Sequence, residues 1–224
     1  MRMHYVNHMK LAGLLLSGVL VTGCASHEPS PYSGIDSSLE MRPNKQDNTG
    51  RTPFKYSTSV NWHKYDQIML EPVVIYSGAD AQFSGLERKD KTVLANDMTV
   101  KFSEALGQHF RFTATPGRGT LRIRLTLTGA ATTVAGLSTF SRFDIGMGSY
   151  NLVQAARDRE GTFTGSVSYV VEIYDASTSQ LLESYVSRQY PKVYDINATF
   201  GRLAAAQAGI SRGAEKLVDI LLAD

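Results

Sequence analysis

The run from Leu121 to Thr128 is the strictest constraint on the fold. Leu121, Ile123, Leu125 and Leu127 alternate with Arg122, Arg124, Thr126 and Thr128. A period of two sends one set to each side of an extended chain, so the run predicts a strand with one buried and one wet face. A helix would scatter the same four aliphatic residues around its circumference. The rest of the chain must supply partner strands and a cover for the apolar side.

Partners are readily found. Asp66 to Tyr76 is rich in β-branched and aliphatic residues and predicts a first strand. Pro72 has no N–H for a ladder, so the strand lies at an edge there or bends. Phe110 to Thr113 is a short strand candidate. Phe163 to Tyr174 and Gln180 to Gln189 flank the turn segment Asp175-Ala176-Ser177-Thr178-Ser179, the spacing of an antiparallel hairpin.

Two segments have helical period. Leu94, Ala95, Met98, Phe102, Ala105 and Leu106 form one stripe, with Asp90 or Thr92 as the cap. Leu203, Ala206, Ile210, Ala214, Leu217 and Leu221 form another between Thr199 and Leu222. Gly209 and Gly213 either weaken this helix or mark a close approach to a sheet. The order of elements predicts an α/β fold, a mixed sheet of four or five strands with two helices packed on one face.

The N-terminal region carries an address. Residues 1–23 have a basic start with Arg2 and Lys10, followed by the apolar run Leu11 to Val21. Eleven residues cannot span a bilayer core of about 30 Å, which takes about 20. The run ends in Val21, Thr22 and Gly23 directly before Cys24, the single cysteine of the chain. This resembles the lipobox of bacterial lipoproteins, which implies cleavage before Cys24 and acylation of its sulfur. Two or three acyl chains hold a protein stably on a membrane, at roughly 0.8 kcal/mol per buried CH₂. Ala25 follows the cysteine, in place of the aspartate that retains lipoproteins in the inner membrane of enteric bacteria. The resemblance therefore implies the outer membrane, with the protein facing the periplasm.

The domain boundaries follow: 1–23 a signal peptide, 24–59 the acylated cysteine with a flexible tether, and 60–224 one globular α/β domain. The tether reading rests on polar, proline-bearing stretches such as Arg42-Pro43-Asn44-Lys45-Gln46-Asp47-Asn48-Thr49-Gly50. Tyr32 to Ile35 and Leu39 are a short docking element within it. Roughly 200 residues after cleavage suffice for one domain with a sizeable core. With Arg2 and Lys10 taken from the 23 basic residues, the remainder balances the 21 acidic ones. Scattered, balanced charge removes the compositional case for nucleic acid as a partner.

The run Val60-Asn61-Trp62-His63-Lys64-Tyr65-Asp66-Gln67-Ile68-Met69-Leu70-Glu71-Pro72-Val73, together with Tyr169-Val170-Val171-Glu172-Ile173-Tyr174-Asp175, resembles the bacterial lipoprotein family DUF3313. Ser179 stands where that pattern has a turn glycine. The resemblance implies a lipid-anchored protein with a terminal helix and carries no catalytic residue with it. Trp62 and Tyr65 read as anchors packing under the first strand.

Sites for chemistry are sparse. His27, His63 and His109 lack metal-ligand spacing, and no cofactor is expected. There is no G-x-S-x-G elbow. Asp66, Glu71, Glu172, Asp175 and Glu183 could form carboxylate pairs but read as residues of a wet face. The connection from Gly129 to Gly161 is long for a compact domain and carries Leu137, Phe140 and Phe143 among glycines. It reads as an irregular flap or, more sharply, as a contact surface meeting a partner subunit, another envelope protein or a second copy of the chain, or the membrane. The leading function is a non-enzymatic binding or assembly module anchored at the outer membrane. A subunit of a ring-forming export or pore assembly is the second reading, and a periplasmic hydrolase, which no constellation supports, is the third.

Overall fold

The computed structural model describes residues 30–132, 165–190 and 201–223. Its strands are β1 (Arg42–Pro43), β2 (Phe54–Ser57), β3 (Gln67–Leu70), β4 (Val74–Ile75), β5 (Gln82–Ser84), β6 (Arg111–Phe112), β7 (Thr120–Ala131), β8 (Ser166–Asp175) and β9 (Leu181–Gln189). The α-helices among the described residues are α1 (Arg88–Gly107) and α2 (Ala204–Leu221). Among the described residues there is one nine-stranded sheet in the order β1-β2-β9-β8-β7-β3-β6, with β4 and β5 also paired to β7. The expected α/β class and mixed sheet hold; the count of four or five strands is corrected.

The reason for the higher count is local. β3, β4 and β5 all run parallel to β7 and together line one side of it. The predicted strand from Asp66 to Tyr76 is broken at Glu71-Pro72-Val73. Leu70 pairs with Ile123 but Val74 with Thr126, so the proline segment bulges by one residue. The strands β1 and β6 have two residues each, too short to show a period.

β7 pairs antiparallel with β8, and β8 with β9, as the hairpin spacing predicts. Both helices pack together on one face. Leu94, Met98, Phe102 and Leu106 of α1 meet Ile210, Leu217 and Leu221 of α2 over Ile123, Leu125, Leu127, Val171 and Ile173. Each large side chain fully buried there stabilises the fold by about 1.5–3 kcal/mol. The N-terminus of α1 is capped by Glu87, with Asp90 returning a bond to the Glu87 amide at 2.8 Å. Asp90 is thus the third helical residue of a capping box rather than the cap itself.

The other face of the sheet is also covered. Tyr32, Ile35 and Met41 pack with Tyr76, Val170 and Val186 in a second cluster. Thr126 and Thr128, expected to be wet, are buried beneath this strap, and β8 is buried on both sides. The tether expected up to residue 59 and the domain start at 60 are therefore corrected. Residues 30–43 form a strap on the sheet, and β2 is a strand paired with β9. Leu39 is the one large apolar side chain of the strap that does not pack, at 81% exposed.

Candidate functional site

The strap sits on a group of charges. Arg122 and Arg124 project from β7 on the same face as Glu172 and Tyr174 of β8, their register partners. Glu71 accepts from Arg122 at 2.9 Å and from Arg124 at 2.8 Å, and Arg124 also reaches Asp36 at 2.6 Å. Burial pushes the Glu71 carboxyl up, but the two guanidinium groups outweigh it and hold it below its usual range. Glu172 accepts the Ser37 amide and the Tyr174 hydroxyl, each at 3.0 Å. This network ties the strap and the Glu71 segment to β7 and β8, so it is a fastening. Glu172 and Glu183 are both buried, which corrects their reading as wet-face residues.

A second constellation is open to a ligand. The loop 44–52 is organised by Asp47, whose carboxylate accepts from the Thr49 amide at 3.0 Å, the Thr49 hydroxyl at 2.7 Å, the Gly50 amide at 3.1 Å and the Thr52 amide at 2.6 Å. Gly50 has φ +77°, a conformation that favours glycine. The loop leads into β2, placing Lys55 opposite Tyr185 of β9. Lys55 pairs with Glu183 at 3.0 Å, and the Ser57 hydroxyl donates to the same carboxylate at 3.0 Å. From α2, the Lys216 ammonium donates to the Thr52 hydroxyl at 2.5 Å.

These side chains wall a cavity of about 250 Å³ between β2, β9, the loop 44–52 and α2. It shares Asn44, Gln46 and Lys55 with a more open groove that reaches Arg42 and Lys45. Burial pushes the Lys216 ammonium down from its usual value; Asp47 and Glu183 oppose this shift, while Lys55 and Arg51 reinforce it. Tyr185 is 1% exposed and its hydroxyl has no partner among the described residues. Two ammonium groups and hydroxyls around a concave space can bind an anionic group.

Cys24, with Val21, Thr22 and Gly23, lies outside the described residues, as do Leu137, Phe140 and Phe143. β7 runs to Ala131, so the connection begins later than the expected Gly129. Trp62 packs against the main core beside the buried Tyr65, as predicted for anchors. The cavity was hidden in the sequence because half its wall lies in the stretch read as tether. A usable signal existed in Lys216, which stands between the apolar stripe positions Ala214 and Leu217. Among the described residues no three His, Cys, Asp or Glu side chains group as a metal site, and no helix is long and apolar enough to cross a membrane.

A protein family described as "Protein of unknown function (DUF3313)" matches residues 31–217. No curated protein matches the chain. The similar solved structures include a PelC dodecamer from Paraburkholderia phytofirmans, 8% identical, covering 72% of this chain and 94% of that one with a TM-score of 0.38. A neuraminyllactose-binding hemagglutinin homolog from Helicobacter pylori is 9% identical, covers 70% and 83% of the two chains, and has a TM-score of 0.33.

Proposed function

The chain belongs to the DUF3313 family, and from that premise we propose that it is a lipid-anchored, non-enzymatic binding or assembly module of the outer membrane, facing the periplasm. The observation that carries this reading is the lipobox from Leu20 to Cys24 standing just ahead of the packed strap. Tyr32, fully buried, follows Cys24 by only eight positions. Eight residues reach at most about 29 Å when fully extended. Ser30 and the Ser33 amide fasten the start of the strap to Asp80, so an anchor at Cys24 would hold the domain close to the lipid surface. Its partners are then other envelope proteins or further copies of itself. The stretch with Leu137, Phe140 and Phe143 is the proposed contact.

Flotation tests the anchor: the wild-type chain is expected to rise with outer-membrane vesicles in a sucrose gradient and Cys24→Ser to remain behind. A Cys24→Ser protein that still floats overturns the reading. For the contact, replacing Phe140 and Phe143 by serine should reduce crosslinked species while circular dichroism stays unchanged.

A further inference from the structure

We infer that the cavity between β2, β9 and α2 binds a small oxyanion, a phosphate or carboxylate group, with Lys216 and Lys55 as its principal ligands. The inference goes beyond the anchor and stands whether or not Cys24 is acylated.

Lys216 has unmet hydrogen-bonding capacity. A lysine ammonium has three donors and no acceptor. Lys216 uses one of them on Thr52 Oγ1 at 2.5 Å, and no carboxylate lies within 4.0 Å of it among the described residues. An ammonium withdrawn from water without a counterion is costly, and buried charges are ordinarily paired. The acidic residues of the wall are already committed. Asp47 receives four donors from its own loop, and Glu183 is held by Lys55 and Ser57. Among the described residues Lys216 therefore has no ion pair of its own: Asp47 and Glu183 favour its charge only from a distance, and its ammonium lies 5.9 Å from the Tyr185 ring centre, which leaves donors over for an anion.

A second observation points the same way. The Tyr185 side chain forms part of the cavity wall and is almost fully buried, and its hydroxyl has no partner among the described residues. A tyrosine hydroxyl in such a position ordinarily finds one. The cavity, at about 250 Å³, accommodates a phosphate or a small carboxylate. Arg51 adds positive potential from the loop, since it is among the groups that depress Lys216. Lys55, which spends one donor on Glu183 Oε1, has two more that can meet an anion from the same place.

The same chemistry is found on free phosphate and on a phospholipid headgroup, and titration separates them. The full-length protein in neutral detergent and phosphate-free buffer is titrated calorimetrically with inorganic phosphate, and separately with monomeric dihexanoyl phosphatidylglycerol. Saturable binding that weakens at least about tenfold in Lys216→Gln and is largely kept in Lys216→Arg supports the site, since one charge-assisted bond accounts for about that much. Tighter binding of the lipid identifies a headgroup site, and tighter binding of phosphate a site for a free anion. Absence of saturable binding of either probe, or equal binding by wild type and Lys216→Gln, overturns the inference. Lysine-labelled wild-type protein gives a readout without any substitution: added phosphate should raise the titration midpoint of the Lys216 ε-carbon signal. A midpoint that does not move counts against the site.

Discussion

The Ser37 amide donates to the Glu172 carboxylate at 3.0 Å, joining the strap to β8 across 135 positions of chain. Glu172 is 1% exposed and lies opposite Arg124, which approaches it at 3.8 Å. Replacing it by alanine leaves the Tyr174 hydroxyl and the Ser37 amide without their acceptor, while Arg124 keeps Glu71 and Asp36. Removing one member of a buried charged network costs about 3 kcal/mol. Urea unfolding of Glu172→Ala is expected to show that loss, and limited proteolysis should cut sooner within residues 30–43. Unchanged resistance would show that the strap is held without the Glu172 bonds.

Gly213 of α2 lies against the Tyr169 hydroxyl, so that a β-carbon there would overlap it. Gly209 is similarly close, its β-carbon falling 2.8 Å from Val167 Cγ1. Alanine gains about 1 kcal/mol of helix propensity over glycine, but a clash with a fully buried side chain outweighs that gain. Gly213→Ala is expected to destabilise by about 2 kcal/mol in thermal or urea unfolding. Adding Tyr169→Phe should restore part of the loss, since it removes the overlapping oxygen. A stabilised Gly213→Ala would contradict this packing.

The β8–β9 turn gives a pH prediction. The Asp175 carboxyl is held down from 3.8 to about 2, first by the Ser177 hydroxyl and then by Tyr65 and the amides of Thr178 and Ser177. A depressed carboxyl contributes stability that is fully present above its unfolded value and is lost as pH falls through the folded one. The contribution therefore fades from about pH 4 towards about pH 2. Asp175→Asn is expected to be less stable at neutral pH and to show a flatter stability profile across that interval. An identical acid slope in the two proteins would rule the contribution out.

Ser179 in the same turn has φ +60°, which L-residues with a β-carbon adopt at a cost. Glycine there removes the strain at some entropic expense in the unfolded chain. Ser179→Gly is expected to stabilise by about 0.5–1 kcal/mol, read as a higher urea midpoint. A lower midpoint would contradict the strain.

Lys216→Met tests the energetics of the cavity separately from its ligand. Burial disfavours the Lys216 ammonium, so its folded value lies below its unfolded one and stability rises with pH between the two. Removing the charge is expected to leave the melting temperature no lower than that of the wild type without added anion. A large drop would show that Lys216 is a structural fastening.

Several of these features could be read directly from the residues. Alternation from Leu121 to Leu127 and the spacing around Asp175 to Ser179 gave β7, β8 and β9, because long strands repeat their pattern often enough to show it. The stripes of α1 and α2 were legible for the same reason. The strap was not. Tyr32, Ile35 and Met41 bury as single residues among Ser, Pro and Asp, and such sparse anchors look like a solvated segment until the sheet beneath them is known. Arg122 and Arg124 misled in the same way, since a charged row reads as wet whether water or a strap covers it. The cavity depends on Thr52, Lys55, Glu183 and Lys216, which are brought together from three separate segments by β2–β9 pairing and by α2. No local pattern announces that meeting.

The anchor is tested most directly by the intact mass of protein extracted from envelopes in detergent. The account predicts a chain that begins at Cys24 and carries two or three fatty-acyl groups. A chain that keeps residues 1–23, or one with an unmodified Cys24 thiol, would contradict it.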